Sequence, residues 1–420
     1  MRVNSVAEGQ TLGDGVDSAA SVYDTLRERG FVYQVSDEAG LRRAFEQPLT
    51  AYCGFDPTAD SLHMGHLMGI MALMHLQRAG HRPIALMGGG TVLVGDPSGK
   101  TSMRPILSPR EIRSNLEAMR PQMARYLDFS SGNALLLNNA DWLTKLNYIE
   151  FLRDIGRHFS VNVMLAAEVY KTRLESGLNF IELNYMLLQA YDFLHLHREY
   201  GCRLQIGGSD QWSNCLAGND LIRRTEHTET FTLVWPLLTT ASGQKMGKTE
   251  KGAVWLSPDR TSPYDFYQYW INTEDADVER LLAVFTLLPM ARVRELGRLK
   301  GADLREAKRV LAHEVTALTH GDEEAQKAQV TSEALFSGEG EVRDAPAIEV
   351  ERSVLSAGIP AHELFAEAFG KSRREARETI KAGGAYLDGE AVEPSQSISV
   401  PGLLRWGKKD YRQLRVKGSA

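Results

Sequence analysis

Between Thr50 and Gly90 the sequence runs strand, helix, strand, and no other stretch constrains the fold as strongly. Thr50–Phe55 reads as a strand stopped at Asp56-Pro57, because proline cannot donate to a ladder. Residues 66–76 are almost continuously apolar, as in a buried helix, and Gly80 ends it. Residues 83–87 form a second apolar run that enters Gly88-Gly89-Gly90. Elements in that order imply a parallel α/β sheet with right-handed crossovers.

Outside this unit the pattern varies. Residues 23–47 read as one helical segment closed by Pro48, and a helical pattern dominates residues 108–200. Residues 202–206 form a strand ending in Gly207-Gly208-Ser209-Asp210, and residues 231–238 form another, before a polar loop over 239–250. Residues 262–320 read as mostly helix, with Leu281, Leu282, Val284 and Leu288 on the apolar face. Residues 321–347, acidic and glycine-containing, read as a linker. With 420 residues, more than one core is expected. The division expected is a loose tail over 1–20, an α/β domain with a helical insertion over 21–250, a helical domain plus linker over 251–345, and a small module over 346–420.

Composition excludes several classes. With 43% hydrophobic and 24% charged residues the chain is ordinary globular material, without the run of roughly 20 apolar residues that would span a membrane. The first twenty residues carry Glu8, Asp14 and Asp17 and no apolar run, so neither a secretory signal nor a transit peptide is expected. Cys53, Cys202 and Cys215 are too scattered for a disulfide framework or a structural zinc site, which suits a reducing cytoplasm. A net charge of -6 means that any nucleic-acid surface must be a local basic patch.

Two short motifs carry chemistry. Ser61-Leu62-His63-Met64-Gly65-His66 sets two imidazoles three residues apart, on one face of a first helical turn. Free N–H groups and the macrodipole attract phosphate there, and Gly65 lets a sugar or ring approach the backbone. Alternatively, one histidine caps the helix and the other lies on the surface; a metal site would need a third ligand. Gly243-Gln244-Lys245-Met246-Gly247-Lys248-Thr249 holds two lysines in a glycine-containing loop, either a solvated turn or a segment that closes two ammonium groups on a polyphosphate. Gly95–Thr101 is one residue too short for a phosphate-binding Walker loop, and Pro97 would stiffen it.

Together, and in this order, His-Met-Gly-His and Lys-Met-Gly-Lys-Thr resemble the two signatures of class I aminoacyl-tRNA synthetases. The second departs from the commoner Lys-Met-Ser-Lys-Ser but keeps its second lysine and hydroxyl. Four further stretches, Tyr52-Cys53-Gly54-Phe55-Asp56-Pro57-Thr58-Ala59-Asp60, Gly95-Asp96-Pro97-Ser98-Gly99-Lys100, Tyr185-Met186-Leu187-Leu188-Gln189-Ala190-Tyr191-Asp192 and Gln205-Ile206-Gly207-Gly208-Ser209-Asp210-Gln211, resemble bacterial tyrosyl-tRNA synthetases. That likeness runs from about Tyr23 to the C-terminus. It implies a Rossmann-like parallel-sheet catalytic domain, then an α-helical domain and a small α+β RNA-binding module. It also implies ATP as substrate with Mg2+ on its phosphates, L-tyrosine and tRNA(Tyr) as partners, a homodimer and no membrane.

The resemblance also implies roles. His63, His66, Lys245, Lys248, Thr249, Lys100 and Arg104 would meet phosphates or the acceptor end. Tyr52 and Asp192 would read the tyrosine hydroxyl, Asp96, Tyr185 and Gln189 its ammonium, and Gln211 its carboxylate. Gly54, Asp56, Gly65, Gly208 and Asp210 would hold the nucleotide with Lys248. Tyr185, Gln189 and Asp192 fall at i, i+4 and i+7, one face of a helix, as a single pocket wall requires. Lys371, Arg373, Arg374 and Arg377 would grip RNA from a helix that Ser372 can cap, ahead of two strands around Asp388-Gly389. Rival readings are a tryptophanyl-tRNA synthetase, which has no need of a Tyr52/Asp192 pair, and a non-catalytic RNA-binding protein on the same scaffold.

Overall fold

This computed structural model describes residues 21–98, 107–243, 246–249, 252–337, 346–407 and 410–418, less the side chains of Thr172, Lys248 and Thr249. They form two compact units. The first holds the chain up to Asp60, His66–Leu238 and Glu279–Arg298; the second holds Ser61–Gly65, Thr239–Val278 and everything from Leu299 on.

The first unit is built on a six-stranded sheet of β1 (Gln34–Val35), β2 (Thr50–Phe55), β3 (Arg82–Met87), β4 (Leu135–Asn138), β5 (Cys202–Gly208) and β6 (Phe231–Trp235), in the order β1-β6-β5-β2-β3-β4. All neighbours are parallel except β1, which runs antiparallel to β6. The central strands are buried almost throughout, as parallel strands covered on both faces must be. The helix Met64–Arg78 links β2 to β3, as the apolar run predicted. Tyr52, Ile84, Leu86, Phe193, Leu194 and Ile222 belong to one core cluster that joins the sheet to the helices beside it. Buried Arg29 donates to the carbonyls of Ala283, Thr286 and Leu288, at 3.0, 2.9 and 2.5 Å, and so fastens the first helix, Val22–Glu28, to a later part of the same unit.

Two expectations need correction and one an addition. Residues 23–47 are not one helix: Val22–Glu28 is followed by β1 and then by a helix over Glu38–Ala44 capped by Asp37. The open edge of β6 recruits the intervening residues, with Tyr33 N–H bonding Val234 O at 2.8 Å and Ser36 N–H bonding Thr232 O at 3.0 Å. Helices do dominate residues 108–200, with the short strand β4 set among them and paired along β3. Residues 321–347 are not a linker throughout, because Asp322–Ser337 is a helix. Its acidic residues Asp322, Glu323 and Glu324 fill the first turn, where negative charge complements the helix dipole.

In the second unit, helices Pro263–Ile271, Leu304–His320 and Asp322–Ser337 bury Phe266, Tyr267, Trp270, Leu311 and Val315. Farther along, Ala347–Val350 joins Glu390–Ala391, Ala385–Leu387, Gly402–Trp406 and Asp410–Val416 in a five-stranded sheet. Helices Ala361–Phe369 and Arg373–Lys381 close a small core of Phe365, Phe369, Ile380, Leu404 and Leu414. Ser372 caps the second of these helices, accepting the Glu375 N–H at 3.1 Å. The hairpin turn is formed by Asp388 (φ 50°) and Gly389 (φ 88°), the left-handed pair that a two-residue loop requires. Among the described residues no helix is long and apolar enough to cross a membrane.

Candidate active site

From β2 the chain steps outward to β3 and β4, then returns to lay β5 and β6 on the other side of β2. In open parallel sheets such a reversal leaves a crevice at the carboxyl ends of the two strands, here β2 and β5. β2 delivers Asp56 there, and β5 delivers Ser209–Gln211.

The wall of this site is the helix Tyr185–Tyr200. Asp192 is buried, and its two oxygens accept hydrogen bonds from Asn139 Nδ2 at 2.8 Å and Trp142 Nε1 at 2.7 Å. Burial pushes its carboxyl up to about 7 against the opposing effect of those two donors. Tyr52 lies on β2 with its ring 5.3 Å from that of Phe193. Burial holds its phenol well above the ordinary value, and nearby Asp192 adds to that. Among the described residues neither Tyr52 Oη nor Gln189 Oε1, both buried, has a hydrogen-bond partner. Buried polar groups are nearly always paired, so two orphans beside a buried carboxylate are features of a polar ligand pocket.

Along the rim, Tyr185 Oη donates to Asp56 Oδ2 at 3.3 Å. Gln211 Nε2 donates to Asp96 Oδ2 at 2.9 Å, and Gln211 Oε1 accepts from Asn214 Nδ2 at 3.1 Å. Asp96 Oδ1 takes the Ser98 N–H at 2.9 Å. A Cβ at Gly88 would lie 2.0 Å from Asp56 Oδ1, so only glycine leaves that carboxylate its place. Gly54 has open space within 4 Å of where a Cβ would stand, and Gly208 packs against Asp210. The first unit thus gathers Tyr52, Gly54, Asp56, Asp96, Tyr185, Gln189, Asp192, Gly208, Asp210 and Gln211. Asn139, Trp142 and Thr91 escaped the sequence reading; only the glycine run before Thr91 hinted at any of them.

In the second unit the backbone of the histidine motif pairs with residues 254–256, a few positions beyond the lysine motif. Met64 N–H bonds Val254 O at 3.0 Å, Leu256 N–H bonds Leu62 O at 2.9 Å, and His63 bridges Trp255. Gly247 sits so close to Met64 that a Cβ there would be 2.7 Å from Met64 Cβ. Lys248–Thr249 forms a short hairpin with Gly252–Ala253, and Tyr269 Oη accepts the Gly247 N–H at 3.0 Å. The helix begins only at Met64, so His63 precedes its first turn rather than sharing a face with His66. His63 Nδ1 accepts the Gly65 N–H at 3.0 Å and acts as the cap. His66, in the first unit, meets Phe55 edge-on with ring centroids 6.0 Å apart. Lys100, Arg104 and Lys245 lie outside the described residues, as do the side chains of Lys248 and Thr249.

Of the four basic residues of the C-terminal helix region, Arg373 and Arg374 are exposed, at 69% and 88%, with ion pairs to Glu363 and Glu378. Lys371 is largely buried beside Glu375, and Arg377 points to His362 Nε2 at 2.7 Å. The described residues hold no cluster of three or more potential metal-binding side chains. All three cysteines are buried and unpaired.

The fold and this site define a class I aminoacyl-tRNA synthetase: the family model for class I tRNA synthetases of the tryptophan and tyrosine type matches residues 44–337. A tyrosine–tRNA ligase of Caldanaerobacter subterraneus is 54% identical over 94% of this chain and its own whole length. One of Clostridium beijerinckii is 49% identical over 95% of this chain and, again, its whole length. A C-terminally truncated mitochondrial tyrosyl-tRNA synthetase of Aspergillus nidulans superposes with a TM-score of 0.69 at 30% identity, covering 76% of this chain and 95% of its own. The chain belongs to the tyrosyl-tRNA synthetase family.

Proposed function

We infer that the chain activates L-tyrosine with ATP, forming tyrosyl-adenylate and pyrophosphate, and transfers the tyrosyl group to the 3' end of tRNA(Tyr), acting in the cytoplasm. The observation that carries the choice of amino acid is the buried Tyr52 Oη without a partner near the Asp192 carboxylate. A phenolic hydroxyl can pair with both groups. Phenylalanine would leave them stranded, and an indole has no matching oxygen. ATP–pyrophosphate exchange tests the reading: it should depend on L-tyrosine and stay silent with tryptophan, and the reverse result would sink it.

The tyrosine carboxylate attacks the α-phosphorus of ATP in line, and the bond to pyrophosphate breaks. No proton need be removed, so positioning and charge stabilisation carry the rate. In this reading Asp96, Tyr185 and Gln189 bind the substrate ammonium, while Asp56, Asp210 and Gln211 hold ribose and carboxylate against Gly54, Gly65 and Gly208. His63, His66, Lys245, Lys248 and Thr249 meet the departing phosphates, and Lys100 and Arg104 the pyrophosphate or the acceptor end. Mg2+ rides on the pyrophosphate rather than in a protein cage. The terminal ribose hydroxyl of tRNA then attacks the adenylate carbonyl and expels AMP.

Residues 346–420 serve as the RNA-binding module. Exposed Arg373 and Arg374 reach phosphates, so binding weakens with added salt. Arg373→Glu with Arg374→Glu should lower tRNA affinity and flatten its salt dependence; an unchanged slope in filter binding would refute these contacts. The homodimer forms through exposed apolar side chains, of which Phe180, at 68% exposure, is one. Phe180→Glu should shift the sedimentation mass toward the monomer, and an unaltered dimer would exclude Phe180 from the contact.

A further inference from the structure

One hydrogen-bond chain in the first unit joins the two ends of the pocket. Asn139 Oδ1 accepts the Gly90 N–H at 2.7 Å, which fixes the amide orientation, so both hydrogens of Nδ2 must be donated elsewhere. One goes to Asp192 Oδ2 at 2.8 Å and the other to Thr91 Oγ1 at 3.0 Å. Since Thr91 Oγ1 accepts there, its single proton is left for Asp56 Oδ1, 3.0 Å away. Tyr185 Oη closes the chain on the other oxygen of Asp56 at 3.3 Å. Asn139, Thr91 and Asp192 are 1%, 3% and 2% exposed, so water cannot readily replace any of these partners. The Asn139 amide and the Thr91 hydroxyl are therefore both fixed in orientation, and they link Asp192 to Asp56.

We propose that Thr91 is a positioning residue for the reaction, the joint that holds the hydroxyl-reading carboxylate of Asp192 and the nucleotide-side carboxylate of Asp56 in a single register. This rests on the roles given above to Asp192 and Asp56. The distance between those carboxylates sets where the α-carboxylate of a bound tyrosine stands relative to the ATP ribose. Thr91 acts on that distance through its hydroxyl alone. Its methyl group is packing.

The hydroxyl and the methyl can be removed separately. Thr91→Val keeps the volume and loses the hydroxyl; Thr91→Ser keeps the hydroxyl and loses the methyl. In tyrosine-dependent ATP–pyrophosphate exchange, Thr91→Val is expected to lose roughly 10- to 100-fold in kcat/KM, the range for hydrogen bonds to charged groups. KM should rise for tyrosine and for ATP, although Thr91 is assigned contact with neither, and Thr91→Ser should stay close to wild type. A valine variant with wild-type kinetics overturns the proposal, and so does a serine variant as impaired as the valine one, or a change confined to one substrate. Circular dichroism checks folding; should Thr91→Val not fold, Thr91→Ala against Thr91→Ser asks the same question, because the two differ only by the hydroxyl. Wild-type protein inactive with tyrosine would sink the underlying functional reading. Active wild-type protein with an unaffected Thr91→Val would sink only this inference.

Discussion

Replacing Lys248 with alanine is expected to slow tyrosyl-adenylate formation by about 2–4 kcal/mol, the loss seen when one donor to a developing charge is removed. The charge that builds on the departing pyrophosphate has no covalent relief, so each fixed cation counts fully against the barrier. The backbone favours such a role: Lys248 opens a hairpin whose neighbour Gly247 packs on Met64 at the start of the histidine helix. Because the ammonium would act on the transition state, kcat should fall while tyrosine affinity hardly moves. Pre-steady-state adenylate formation measures this directly. An unchanged rate, or an effect confined to tyrosine binding, would remove Lys248 from the phosphate machinery.

Asp192→Asn should weaken tyrosine binding by about 1.5–3 kcal/mol and narrow the margin against phenylalanine. The carboxylate takes N–H donors from both Asn139 and Trp142, whereas an amide can turn only one acceptor toward them and sets its NH2 against the other. The pH dependence has a definite sign. Burial raises the Asp192 carboxyl from its ordinary 3.8 to about 7, so the folded chain holds this proton more tightly than the unfolded one. Its contribution therefore turns against folding progressively as pH climbs through that window. A phenol that donates to the carboxylate binds the ionised form, so tyrosine affinity should strengthen as pH rises through neutrality and then level off. In Asp192→Asn that step should vanish. Equilibrium dialysis on either side of neutrality gives the answer, and a step that persists in the mutant would assign it to another group.

Much of this was legible from short-range pattern. Strand, helix and strand over residues 50–87 are dictated by apolar runs with glycine and proline at their ends, and the structure has all three. The helix that carries Tyr185, Gln189 and Asp192 was equally readable, since helical spacing brings them to one side whatever surrounds them. What escaped depends on neighbours far away in the chain. β1 is two residues long and exists because β6 has an open edge, which no local propensity reports. The acids of residues 322–324 looked like solvated linker because charge at a helix start and charge in a loop have the same composition. Asn139 and Trp142 support a carboxylate some fifty residues later, and nothing around either one hints at that partner. His63 is a middle case. Its motif was plain, but whether it lies on the helix or caps it depends on one hydrogen bond from the Gly65 N–H to its ring.

Arg29 carries a consequence for anyone re-cutting the chain. Its guanidinium serves three carbonyls of residues 283–288, and at 6% exposure little solvent can reach them to take its place. A lysine offers a compact point charge rather than a flat fork and cannot span the same three acceptors. A new start site downstream of that arginine would therefore strip hydrogen-bond partners from a segment more than 250 positions away. Vectors that trim or tag the front of the protein should keep Val22 to Arg29 intact, because that helix is a structural part of the unit built on the six-stranded sheet.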